Sequence, residues 1–173
     1  MMQAGSIRCG RWVLGGVALL LVCGCEAPMQ INSGFGRGVN YQRFGSTFAW
    51  SAEKTGGREA HLALNPTLDE FLRRAITDDL VAHGYKLQPG DKADFLVAYG
   101  VLSSSYGDTS WSPVVYKEGS LIIDVFDGQT HKRVWRGSAT AKLNESNPPP
   151  EQKRRMTEAV RRILESFPKA AGQ

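Results

Sequence analysis

SLIIDVFDGQTHKRVWRGSATAKL, residues 120–143, is the stretch that decides the fold. Ser120 to Phe126 is an apolar run of strand length, and Asp127-Gly128 behind it is a strong hairpin signal. The return leg alternates. Trp135, Gly137, Ala139, Ala141 and Leu143 fall on one face, and Arg136, Ser138, Thr140 and Lys142 on the other. Such alternation marks an antiparallel strand with one face buried and one wet. Trp135, in phase with small residues, is assigned to the core.

Upstream, Asp94 to Leu102 is nearly continuous in apolar residues and reads as a central strand buried on both faces. Between it and the hairpin, Ser103 to Glu118 is polar yet carries Tyr106, Trp111 and Tyr116. A loop of that length with aromatics in a polar background suits a contact surface for a protein, peptide or glycan. The alternative is that Trp111 and Tyr116 fold back to cap the sheet edge. Earlier still, Tyr85 to Leu87 begins a strand after a helix that starts at Asn65-Pro66-Thr67. In that helix Leu68, Leu72, Ala75, Ile76 and Leu80 share one face, and His83-Gly84 ends it with glycine at the expected cap. Val39–Tyr41 and Thr47–Trp50 read as two short strands, and 51–65 as a polar loop.

Downstream, Asn147-Pro148-Pro149-Pro150 stops the sheet. Met156, Ala159, Val160, Ile163, Leu164 and Phe167 then lie on one helical stripe over Glu151–Phe167, ended by Pro168. The expectation is an α+β, two-layer fold: a mainly antiparallel sheet of about five to six strands with two helices packed on one face.

The N-terminus carries an address. Arg8 and Arg11 precede an apolar run, Trp12 to Val22, too short for the roughly 20 residues a membrane-spanning helix needs. Val22-Cys23-Gly24-Cys25 closes it and resembles the bacterial lipobox. That resemblance implies cleavage after Gly24, a diacylglyceryl group on the Cys25 thiol, and an acyl chain such as palmitate on the new amine. An uncleaved anchor and a plain secretory signal are the alternatives. Charge, length and ending together favour the lipoprotein signal. Glu26 at the next position resembles an outer-membrane address. The expected organisation is a signal over 1–24, lipidated Cys25 and a flexible tether over 25–38, a domain over 39–168, and a tail over 169–173. Residues 26–40, rich in small and polar types, would reach at most roughly 50 Å as a tether.

Cleavage would leave 149 of the 173 residues, enough for one core and too few for two. Net charge falls from +4 to +2 once Arg8 and Arg11 are gone, leaving 19 basic against 17 acidic residues. No basic stripe with interleaved aromatics accompanies it, so no nucleic-acid partner is expected. Cys9 and Cys23 leave with the signal, so the mature chain has no internal disulfide or cysteine metal site.

Tyr41, Phe44, Thr47-Phe48-Ala49-Trp50, Asn65-Pro66, Gly84-Tyr85, Ala93 through Tyr99, Gly119 through Asp124 and Val134 through Ala139 resemble, in order and spacing, the DUF4136 domain lipoproteins of Gram-negative bacteria. Asn40 stands where that family often has aspartate. The resemblance covers roughly residues 39–167 and implies a lipid-anchored envelope protein without implying an activity.

Catalytic and metal chemistry find little purchase. His61, His83 and His131 have no shared metal-ligand spacing, so no metal or cofactor is expected. Asp78 and Asp79 are adjacent on a helix and point apart, and Asp124 and Asp127 flank a turn. Serines 103–105 lack a nucleophile elbow, and Gly34, Gly36 and Gly38 precede no strand–helix unit. The expected function is a non-enzymatic, outer-membrane-anchored periplasmic interaction module with an envelope protein partner. A carrier of a lipid or small hydrophobic ligand is the alternative, and a cell-wall enzyme the more distant one.

Overall fold

The computed structural model describes residues 28–39, 45–51, 66–89, 92–107, 115–143 and 149–170. Two strands, β1 (Gln30–Phe35) and β2 (Thr47–Trp50), precede helix α1 (Pro66–Ala82). Four strands follow: β3 (Lys86–Leu87), β4 (Phe95–Gly107), β5 (Val115–Asp127) and β6 (Arg133–Lys142). Helix α2 (Pro149–Leu164) closes the order. The strands form one sheet in the order β1-β6-β5-β4-β2-β3. Pairing is antiparallel from β1 through β4, while β2 lies parallel to both β3 and β4. The expected α+β architecture is therefore present, with a mixed edge at β2 and β3.

Each element follows from local chemistry. Proline at the start of α1 and α2 loses nothing, because the first helical N–H groups have no partner within the helix. Leu72, Ile76 and Leu80 recur on one side of α1 and are buried. The helix ends in a Schellman turn: Tyr85 N–H donates to Leu80 O at 3.0 Å and Gly84 N–H to Val81 O at 2.9 Å. Gly84 supplies the positive φ of 91°. On α2, Ala159, Val160, Ile163 and Leu164 are buried. It stops at Leu164, short of the expected Phe167, and Phe167 N–H turns back to Leu164 O.

Both helices lie on one face of the sheet. Phe48, Phe95, Val97, Leu121, Ile123, Val125, Trp135 and Ala139 meet the buried residues of α1 and α2 in one core. Lys153 sits over the Phe71 ring, and Arg161 acts on Asp79, so the helices run side by side in the same direction. Large rings fill the half of the core near their C-termini. Trp135 and Phe167 stand 5.0 Å apart, as do Tyr85 and Phe95, in edge-to-face contacts. Burial pushes the Tyr85 hydroxyl up to about 12, and it donates to Pro168 O at 3.0 Å. Gly137 lets α2 approach, since a Cβ there would stand 2.4 Å from both Ile163 and Trp135.

Three expectations are corrected. The tether read over 26–40 contains β1, which pairs with β6 from Gln30↔Thr140 to Phe35↔Trp135. The ordered domain thus begins before residue 39. The strand expected at Val39–Tyr41 is absent at Val39, which is irregular, and its other residues lie outside the described ones. The loop expected over 103–118 is in large part strand: β4 and β5 pair without a break from Phe95↔Asp127 to Gly107↔Val115. Serine-rich chain can extend because main-chain hydrogen bonds hold it whatever the side chains are. The last β5–β6 register pair is Glu118↔Lys142, followed by one bond from Leu143 N–H to Lys117 O, and beyond it, among the described residues, β4 and β5 form a two-stranded arm. The turn expected at Asp127–Thr130 is present and is closed by Asp127 N–H donating to Lys132 O at 3.0 Å. His131, not Gly128, takes the positive φ (56°), and Gly128 is needed because a Cβ there would fall 2.1 Å from Ala93 O.

Candidate functional site

The helix-facing side of the sheet changes character along its length. Where β6 ends and β5 begins, the facing residues are small: Gly119, Ala139, Ala141 and, from α2, Ala159. Helix and sheet are held apart by the aromatic half of the core, and small residues cannot fill the space that remains. The result is a cavity of about 370 Å³, within the range of small-molecule sites. Its lining is mostly apolar, with Met29, Leu72, Val101, Leu121 and Met156 contributing the larger side chains. Leu143 is 46% exposed, and Lys142 and Gln152 are exposed too, so these three mark the opening. Arg155 brings a second cation to the lining.

Met29 ties this site to the N-terminus. It immediately precedes β1, whose first residue pairs with Thr140 near the end of β6. The start of β1, the end of β6 and the start of α2 therefore gather at the mouth. The two-stranded arm of β4 and β5 leaves the sheet at the same end.

The other face of the sheet carries a buried charge. Asp124, 1% exposed, sits across from Arg136 in the β5–β6 register. Arg136 Nε donates to Asp124 Oδ1 at 2.6 Å and Nη2 to Oδ2 at 2.7 Å, and Arg133 Nε stands 3.9 Å away. This bidentate pair occupies both carboxylate oxygens and raises the guanidinium pKa above its usual value. Sequence reading gave Asp124 a turn or edge role and left Arg136 on the wet face. The signal that unites them is the strand register, which places them opposite one another.

Asp94, Asp127 and His83 have structural partners, whereas Asp79 Oδ2 is buried without a hydrogen-bond partner and stands 3.8 Å from His83 Nδ1. Asp94 Oδ2 accepts from Ser46 N–H and Thr47 N–H at 2.9 Å and from Thr47 Oγ1 at 2.6 Å. These bonds, the Thr47 hydroxyl foremost, hold its carboxyl below the usual range. Asp127 Oδ1 accepts from Thr130 Oγ1 and Thr130 N–H at 2.7 Å, with the same effect. His83 Nδ1 lies 2.8 Å from Asp79 O at the end of α1. Burial pushes the Asp79 carboxyl up, against the pull of His83 and Arg161. Among the described residues no three His, Cys, Asp or Glu side chains cluster as metal ligands.

Tyr106 and Tyr116, expected on a loop, are register partners on the β4–β5 arm. Trp111, Gly24 and Cys25 lie outside the described residues, as does His61. Among the described residues no helix is long and apolar enough to cross a membrane.

The family described as "Domain of unknown function (DUF4136)" matches residues 32–169. None of the curated proteins matches this chain in sequence. Among solved structures, PelC from Paraburkholderia phytofirmans, described as a dodecamer, is similar at 12% identity with a TM-score of 0.53, over 83% of this chain and 99% of its own. A DUF4136 family protein from Bacteroides thetaiotaomicron is similar at 14% identity and TM-score 0.51, over 80% of this chain and 94% of its own. A PDZ domain protein from Parabacteroides distasonis is similar at 15% identity and TM-score 0.56, over 82% of this chain and 37% of its own. At these identities the likeness is one of fold.

Proposed function

Since the chain belongs to the DUF4136 family, whose description carries no activity, we propose its role from the anchor motif and the shape of the domain. It is a lipid-anchored, non-enzymatic protein of the Gram-negative outer membrane, with its domain in the periplasm and an envelope protein as partner. One observation carries this reading: β1 begins at Gln30, so Glu26–Met29 are all that separates the lipid-bearing Cys25 from the sheet. Four residues hold a domain against the membrane surface. β1 ends the strand order and pairs on one side with β6. Its residues are exposed apart from Ile31. Such an edge is a ready template for another chain. The dodecamer formed by PelC supports contact as the working mode of this fold.

Cys25→Ser is expected to abolish lipidation and leave precursor or mislocalised protein. Mass spectrometry of the mature N-terminus and membrane fractionation check this. An unmodified Cys25 or a mature terminus elsewhere overturns the anchor. Affinity capture after in-cell crosslinking tests the partner, and recovery of the monomer alone under mild crosslinking overturns the contact reading. The apolar cavity favours a second reading, in which the domain also houses a hydrocarbon ligand.

A further inference from the structure

The cavity under α2 lies where the described chain begins. Met29 lines the cavity, and Cys25 is four peptide steps before it. Those steps span at most about 14 Å even when fully extended. The lipid attachment point therefore cannot be far from the opening marked by Lys142, Leu143 and Gln152. An apolar space of about 370 Å³ is a poor site for water, which needs polar partners, and a good one for hydrocarbon. Polymethylene chain suits the lining: Leu72, Leu121, Met156 and the methyls of Ala139 and Ala159 offer no directional contact, and methionine adapts to flexible ligands. Lys142 at the opening and Arg155 in the lining suit the approach of that end to anionic lipid headgroups.

We propose that this cavity receives one acyl chain of the lipid carried on Cys25. The inference rests on the anchor reading above and adds a destination for one of its chains. With that chain drawn into the domain, the remaining chains stay in the bilayer, and the domain is fixed in orientation. A lipid of the surrounding membrane is the competing occupant. The short connection favours the covalent one, because a tethered chain has a high effective concentration at a site its linker can reach.

The test uses the intact lipoprotein in its own membrane. Cells are fed a long-chain fatty acid bearing a diazirine, which enters the acyl chains of lipoproteins and phospholipids alike, and are then irradiated. The expected product is an intramolecular crosslink between the peptide that begins at Cys25 and peptides containing Met156–Ala159 or Ala139–Leu143. Ala159→Phe and, separately, the rim substitution Ala141→Leu fill the cavity and are expected to lose that crosslink. A melting midpoint near the parent's for either variant shows that the fold is retained. A labelled Cys25 whose crosslinks go to bilayer lipid alone overturns the occupant and leaves the anchor standing. Cavity peptides crosslinked to free phospholipid, in the parent and in Cys25→Ser, overturn it in favour of an exchangeable ligand. An unlabelled Cys25 overturns the anchor itself.

Discussion

Replacing Trp135 with alanine removes a ring that is 1% exposed and stands 5.0 Å from the Phe167 ring. Truncating a large aromatic in a packed core costs about 3–5 kcal/mol. A melt of the purified protein is expected to show that loss as a lower midpoint. At this scale the sequence was most informative where side-chain period met burial, as at Trp135, Gly137 and Ala139. Asp124 and Arg136 were harder, because an ion pair across strands needs the register, which no local pattern contains. Asp94 shows a second limit. Its partners Ser46 and Thr47 lie at the start of β2, far back in the chain. Asp94 and Asp127 have folded pKa values below their unfolded ones, so their contribution to stability is present above about pH 4 and is lost as pH falls through the folded values. Asp79, raised by burial, acts with the opposite sign. Denaturant midpoints measured from pH 6 down to acid are expected to fall, and Asp94→Asn to flatten that fall by starting lower at pH 6.

Among the elements, α1, α2 and the β5–β6 hairpin were legible because each buries one periodic face. β1 was not. Its sequence, QINSGF, keeps Ile31 alone half-buried, and an edge strand paired on one side needs no alternation to form. The arm of β4 and β5 was missed for a related reason: main-chain bonds hold it, and its serines carry no apolar signal. The cavity escaped notice because a run of small residues on a strand reads as close packing, and whether the opposing helix closes on them depends on the rest of the core. The arm keeps its interest for recognition. Tyr106 lies on it beyond the last β5–β6 pair, and Trp111 belongs to the connection that joins its strands. Tyr106→Ala with Trp111→Ala is expected to leave folding and sorting intact while removing the crosslinked partner. Hot-spot aromatics commonly carry about 2 kcal/mol or more each, so the loss of affinity would be roughly a thousandfold. A melt far below the parent would return both residues to the core. Unchanged capture would leave recognition to the β1 edge alone.

For the whole molecule, the order in which the strands are made differs from the order in which they pair. β1 is the first strand of the domain, yet its neighbour is β6, the last, with Gln30 opposite Thr140. The central trio of β4, β5 and β6 is joined by near neighbours in sequence and closes small loops. β1 closes a loop that encompasses nearly the whole domain, at a larger entropic cost and for few buried contacts. Folding rate follows such closures, and the nucleus is expected in the trio, with β1 docking late. Kinetic measurements on conservative variants read this directly. Ile123→Val, at the centre of β5, is expected to slow folding, and Ile31→Val to speed unfolding while leaving folding unchanged. Until that last docking step, the exposed edge of the nascent sheet belongs to β6 instead of β1. A newly made chain would thus offer a different strand to its surroundings from the one the finished protein shows.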